Sequence, residues 1–391
     1  MLGVALGIAA GFIPGFSSNN LAMLFITYGL ISSDYYLAVA VVAINISSSF
    51  FQYLSPMIFG LGNEDTSLAI DSLARPTIDP VTMESFKRGM RTVVSGGLTG
   101  VLVSLPLLFL AEKIYPVVYS SLSPLAGWLL LFVCIYMVWI ERNWRKKISA
   151  VVVFILSGML GLLVKNSGLI SPDYLLLPIF IGLYGFSSLI SKNRGRKEVE
   201  LVQDLTWPEK ARAAAIAFIT SVFGSMMSGM KSSQTSALAL QVGGISRRDE
   251  VLFVLPMISL AFMTLSVLVL GSTGKIRSNL TYDIYDIMGN LHFSQTVLFV
   301  GCVAVAACMS ACILMLLAKP IGKFLSKVSG KYLKILGFCI GAMLIINFTG
   351  VYGVLLAAVA TCIGVLSSRL GTRSTHLMAV LLLPSIVAMI L

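Results

Sequence analysis

The chain has 391 residues, 57% of them hydrophobic and 12% charged, with a mean hydropathy of +0.92. A soluble globule is excluded, because most of that length falls into apolar runs long enough to cross a bilayer at about 20 residues per helix, and strand-like alternation of the β-barrel kind is absent. The net charge of +11 sits in short loops between apolar runs, which is the pattern of a membrane-inserted chain and argues against nucleic acid as a partner.

The first element is an apolar segment over 2–32, interrupted at Pro14-Gly15. No basic region precedes it and the break lies inside it, so a cleaved signal peptide is not expected. Gly3, Gly7, Gly11 and Gly15 recur every fourth residue. Such a stripe makes a groove that another backbone can approach closely, and we expect it to bring the two arms of a helical hairpin together. At the tip, Pro14 lacks an amide donor and Gly15 tolerates unusual dihedrals. Ser17, Ser18, Asn19 and Asn20 follow, the first three being good residues to open a new half-helix.

Spans are predicted next over 37–60, 92–111, 123–140, 148–164 and 174–191. In the first of them Asn45, Ser47, Ser48 and Ser49 either line a cavity or cross-link helices; Asn45 and Ser48 are kept as candidate cavity-lining positions. The loop 61–91 carries Asp79-Pro80, which predicts the start of a helix bearing Phe86 and Met90 toward the membrane. The segment 192–212 links two halves, 1–191 and 213–391. Its basic start, Lys192 to Lys197, reads as a cytoplasmic anchor, with lipid-headgroup recognition as the alternative.

The segment 213–246 repeats the first element. At an offset of 214, Gly229 meets Gly15, Ser232 meets Ser18 and Leu238 meets Leu24. The glycine stripe becomes Ala217, Ser221, Ser225 and Gly229. Lys231 is the one basic residue placed inside an otherwise apolar membrane segment, and a charge at that depth marks a functional site. Spans follow over 250–271, 294–318, 332–348, 350–367 and 376–391. Leu175-Leu176-Leu177-Pro178 recurs as Leu381-Leu382-Leu383-Pro384 in the corresponding last helix.

Charge orients the chain. If 213–246 turns back without crossing, Arg142–Lys147, Lys192–Lys197, Arg247, Arg248, the lysines 319–334, Arg369 and Arg373 all face the cytoplasm. Only Lys113, Lys165, Lys275 and Arg277 then lie outside. The expected fold is an all-α polytopic membrane protein of two inverted-topology repeats. Each repeat is a re-entrant helical hairpin, 2–32 or 213–246, plus about five transmembrane helices.

A helix N-terminus carries about half a positive charge and free amide donors. Two opposed half-helix N-termini with hydroxyls, amides and one ammonium describe an anion site near the bilayer centre. Its expected binding residues are Pro14, Gly15, Ser17, Ser18, Asn19 and Asn20 at the first tip. Gly229, Lys231, Ser232, Ser233 and Gln234 supply the second.

All seventeen acidic residues are placed in loops or at helix ends, so no intramembrane carboxylate is expected to relay protons. Sodium held by unwound carbonyls stays open as a coupling ion; no metal or other cofactor is expected. Cys308 and Cys312 lie one helical turn apart, but the six cysteines read as small buried thiols. No HExxH, nucleotide-binding loop or intramembrane aspartate pair supports an enzyme.

Gly11 to Asn20 resembles the tip motif of the large permease subunit of tripartite tricarboxylate transporters, notably its archaeal branch. Gly224 to Ala237 resembles the second tip, and Gly161-Leu162-Leu163, Asn166-Ser167-Gly168-Leu169-Ile170 and the Leu-Leu-Leu-Pro ends fit the same branch. The resemblance covers essentially the whole chain. It implies a cell-membrane permease for small organic anions, with carboxylates bound at the tips. Its implied partners are a small membrane subunit and an extracytoplasmic solute-binding protein; a homodimer is left open. Ser228 stands where a proline is usual, and Phe16-Ser17-Ser18 replaces a glycine-richer sequence, departures that bear on the substrate. The first tip is also similar to the Pro-Gly-Val-Ser-type tip of prokaryotic polyprenyl-phosphate translocases. That alternative is the flipping of an anionic lipid carrier.

Overall fold

A computed structural model describes the chain outside residues 13–32, 60, 62, 70–79, 123–124, 142, 169, 171–173, 191–203, 228–229, 326–329 and 391. Every described element is helical. In hydrocarbon, backbone amides and carbonyls must be paired within their own segment, and a helix does this. The protein is an all-α, multi-pass membrane protein.

The helices of the first half are α1 (Leu2–Phe12), α2 (Asp34–Phe51), α3 (Leu54–Phe59), α4 (Pro80–Ser104), α5 (Leu108–Leu122), α6 (Ala126–Trp139), α7 (Trp144–Ser167), α8 (Leu176–Phe180) and α9 (Ser187–Ile190). A π-helical turn, Ile181–Phe186, joins the last two. The second half comprises α10 (Trp207–Met226), α11 (Ser232–Val242), α12 (Arg248–Thr273), α13 (Asn279–Met288), α14 (Phe293–Leu325), α15 (Gly330–Leu370) and α16 (Ala379–Ile390).

Among the described residues, six stretches are long and apolar enough to cross a membrane: Asp34–Phe59, Glu84–Ala111, Trp144–Lys165, Arg248–Thr273, Phe293–Lys323 and Ile335–Leu370. The expected spans 123–140, 174–191 and 376–391 appear as the shorter apolar helices Gly127–Trp139, Leu176–Ile190 and Ser374–Ile390. The helix anticipated at Pro80 begins there and runs without interruption into the span expected over 92–111.

The spans expected over 332–348 and 350–367 both fall in α15, which breaks at Gly350 with φ 61° and ψ −154°. Gly341 packs against Ile181 and Phe186, while the Ala357 carbonyl packs against Gly182. A straight helix would hold residues 341 and 357 about 24 Å apart, so the chain folds back at Gly350. Only glycine adopts that backbone conformation readily, and a side chain there costs about 1–3 kcal/mol. Gly350→Ala should therefore lower the thermal midpoint of the detergent-solubilised protein measurably. An unchanged melt would refute the strained turn.

Close backbone contacts fix the helix pairs. A methyl group on Gly3, Gly7 or Gly11 would sit 2.7, 2.5 or 2.7 Å from the carbonyl oxygens of Ala40, Ile44 and Ser48. The partner residues rise in number with the glycines, so α1 and α2 run in the same direction. Among the described residues the stripe receives α2; the other arm of the expected hairpin lies outside the described residues. Gly96 and Gly100 of α4 likewise lie against the carbonyls of Phe253 and Met257, making α4 and α12 parallel. In the reciprocal pair, α2 meets α14, where the Ser310 hydroxyl donates to Ser47 Oγ at 2.8 Å. The hydrophobic window of α12 is 94% buried, against 17% for that of α15, so α12 forms the centre of the packing.

Candidate anion site

The site is built on α10 and α11. Pro208 lies in the first turn of α10, where a missing amide costs nothing. Thr206 caps that helix, its backbone amide donating to Glu209 Oε2 at 2.9 Å. Glu209 also pairs with Arg247. The Thr206 amide and hydroxyl, and then Arg247, hold the Glu209 carboxyl down to about 2. Arg212 donates to the Gly243 carbonyl at 2.9 Å, Gly243 packs on Ile216, and Gly224 packs on Thr235. The start of α10 thus meets the end of α11 and its end meets the start of α11, so the two helices form an antiparallel hairpin.

The helix ends where Met227 turns to extended backbone. Lys231 is the N-cap of α11, with φ −104° and ψ 167°. Its backbone amide donates to Gln234 Oε1 at 3.1 Å, and Thr235 Oγ1 donates to the Lys231 carbonyl at 2.9 Å. The side chains of Lys231, Ser232 and Ser233 are thereby presented together at the start of the helix.

Two carboxylates of the chain itself occupy these donors. Lys231 Nζ lies 3.1 Å from Glu64 Oε2, and the Ser233 hydroxyl donates to Glu64 Oε1 at 2.8 Å. Both oxygens of Glu64 are engaged. The Ser232 hydroxyl donates to Asp65 Oδ1. The turn carrying these acids is closed by Asn63 N to Thr66 Oγ1 at 2.9 Å and Ser67 Oγ to the Glu64 carbonyl at 3.0 Å. Thr66, Ser67, Leu68 and Ala69 are buried. The Lys231 side chain stays 47% exposed and that of Glu64 21%.

The expected residues are placed as follows. Lys231, Ser232 and Ser233 converge, while Gln234 is buried and serves as the cap partner of Lys231. Pro14, Gly15, Ser17, Ser18, Asn19, Asn20 and Gly229 lie outside the described residues. Asn45 and Ser48 are buried in α2 and committed elsewhere. Asn45 donates to the Val41 carbonyl at 3.1 Å and bonds the Asp283 side chain, while Ser48 donates to the Asn45 carbonyl at 2.9 Å. The cross-linking alternative is the one these contacts fit.

Sequence reasoning missed Glu64 and Asp65, which lie in the loop expected over 61–91. Their placement against α11 brings two loop carboxylates to the second tip. The available signal was the adjacent acid pair just after a span, followed by Thr66-Ser67-Leu68-Ala69, which is too apolar for a solvated loop. A second buried polar knot holds the far end of α11. Gln241 donates to the Met137 carbonyl at 2.9 Å and accepts from Thr375 Oγ1 at 2.9 Å. Beside it, His376 Nε2 lies 3.1 Å from Glu141 Oε1.

Cationic and hydroxyl donors gathered at a helix start in a helical multi-pass protein are the arrangement expected of an anion transporter. The model of the tripartite tricarboxylate transporter TctA family matches residues 1–379. The chain belongs to that family. No curated protein and no solved structure matches it.

Proposed function

We propose that the chain is the permease component of a tripartite-type transporter and moves a small organic carboxylate across the cell membrane by alternating access. The observation that carries this reading is the occupancy of Lys231 Nζ, Ser232 Oγ and Ser233 Oγ by carboxylate groups. Donors that hold Glu64 and Asp65 have the charge and geometry to hold a substrate carboxylate. The opposed first tip, Pro14 to Asn20, supplies the other half of the site. Gly229 gives the break at the second tip, and sodium is the coupling ion. A small membrane subunit and an extracytoplasmic binding protein complete the assembly.

Helix pairing supports the inverted repeat. At the 214 offset α2 corresponds to α12 and α4 to α14, and the reciprocal pairs α2–α14 and α4–α12 both form. The parallel course of α4 and α12 is the one inversion requires: α4 runs against α2, and so does an upside-down copy of α2. In the second half, α10 and α12 are joined by Glu209–Arg247 at their starts and by Arg277 to the Met226 carbonyl at their ends. They too run in parallel, as α1 and α2 do. This shared direction supports hairpin elements that return the chain to the side it came from.

Arg247 and Asn279 are both exposed. A cysteine placed at Arg247 should react with an impermeant maleimide only from the cytoplasmic face, and one at Asn279 only from outside. Reaction of both from one side would break the topology. For the substrate, thermal-shift binding of citrate, succinate and a polyprenyl phosphate, with and without sodium, should show stabilisation by carboxylates. Stabilisation by the lipid phosphate alone would favour the flippase reading.

A further inference from the structure

We propose that the turn Asn63–Thr66 is a tethered anion, which occupies the α11 site in the substrate-free protein and leaves when substrate carboxylates bind. The inference rests on the carboxylate reading of that site and adds a regulation to it.

The chemistry of the contact favours displacement over a permanent staple. Glu64 gives one oxygen to Lys231 and the other to Ser233, and Asp65 bonds Ser232. These are the interactions a dicarboxylate would make. A buried or half-buried ion pair gains little net stability, because desolvating the charges offsets most of their attraction. Glu64 also balances the Lys231 charge, but asparagine would satisfy the Ser232 hydroxyl at a lower desolvation cost than Asp65, so a purely structural turn has no need of the second acid. Two charges held beside each other also repel, which keeps the occupied state from being too deep to leave.

A second observation concerns the polar group beside Asp65. The Tyr53 hydroxyl is buried without a hydrogen-bond partner among the described residues, close enough to Asp65 to feel its charge. A buried hydroxyl with no protein partner among those residues has capacity for one more hydrogen bond. A substrate carboxylate entering as the turn withdraws would supply one. Because the turn is part of the chain, its local concentration is high, and cargo must outcompete it. That biases the permease toward substrate delivered at high local concentration and suppresses empty cycling.

The test measures citrate and succinate binding by calorimetry on wild type, the double variant E64Q/D65N and Lys231→Ala, all in nanodiscs. The double variant keeps the shape and one acceptor oxygen per side chain, enough for the two serine hydroxyls, but removes the competing charge. It is expected to bind citrate at least 10-fold more tightly than wild type. Equal or weaker binding by the folded double variant overturns the tethered anion. If that variant does not fold, hydrogen exchange on wild type decides. Saturating citrate should speed exchange of the Ser67 and Ala69 amides, which bond the Asn63 and Thr66 carbonyls, at least 10-fold, and unchanged or slowed exchange overturns the proposal. Undiminished citrate binding by Lys231→Ala, or no carboxylate binding by any of the three proteins, fails the underlying site and not only its regulation.

Discussion

Replacing Lys231 with alanine is expected to cut carboxylate uptake into proteoliposomes at least 30-fold while leaving the protein inserted. The ammonium is the only full positive charge on the described tip, and it reaches a carboxylate oxygen at 3.1 Å. Removing one member of a desolvated charge pair costs about 2–5 kcal/mol. Because the lysine side chain remains 47% exposed, the lower figure applies, and about 2 kcal/mol corresponds to roughly 30-fold in affinity. The fold should survive, since Lys231 caps α11 with backbone atoms that alanine retains. Lys231→Arg keeps the charge on a planar, bulkier group and should recover part of the uptake. Unimpaired transport by Lys231→Ala would remove the lysine from the site.

The second large effect is structural. Gly96→Leu and Gly100→Leu should each prevent α4 from seating on α12. Even a methyl group at either position would collide with the Phe253 or Met257 carbonyl, which belong to backbone and cannot rotate away. Overpacking commonly costs 1–3 kcal/mol, and here two buried helices must separate, so about 3 kcal/mol per substitution is the expectation. Gly301 of α14 provides the contrast, because a methyl group there meets nothing within 4 Å. Gly301→Ala should be neutral or stabilising by up to about 1 kcal/mol. Loss of a monodisperse peak in detergent for the α4 variants, with a normal one for Gly301→Ala, is the predicted pattern. A well-behaved Gly96→Leu protein would show that the helices are not in backbone contact.

Local pattern made much of this fold legible. Runs of apolar residues located the long spans, and the Asp79-Pro80 pair located the start of α4. The gap between the spans expected to end at 348 and begin at 350 lies one residue before Gly350, where the chain folds back. Small residues at every fourth position correctly announced close backbone approach. They did not announce the partner, because a groove specifies only that something thin must fill it, and α2 fills the described part. The donors at Lys231, Ser232 and Ser233 were legible from their position at a helix break. Their occupant was not. Glu64 lies 167 residues away from Lys231 in sequence, and nothing local to either residue encodes that meeting. Asn45 was ambiguous for the same reason: its Asp283 partner sits on α13, beyond any periodicity in α2. The last helices are also less regular than the repeat suggests. Gly158 and Gly161 face Leu383 and Val380 in descending order, whereas Gly182 and Ser187 meet α15 in ascending order.

The enclosure of α12 decides how the surroundings reach the transport path. With 94% of its apolar window covered by protein, it has almost no surface on which acyl chains can act. A thicker or thinner bilayer tilts and strains the helices that touch it, and α15, with 17% of its window covered, is the one most open to that force. Lipid composition therefore acts on the centre of this molecule at second hand, transmitted through the outer helices, while α12 behaves as an axle insulated from the medium it spans.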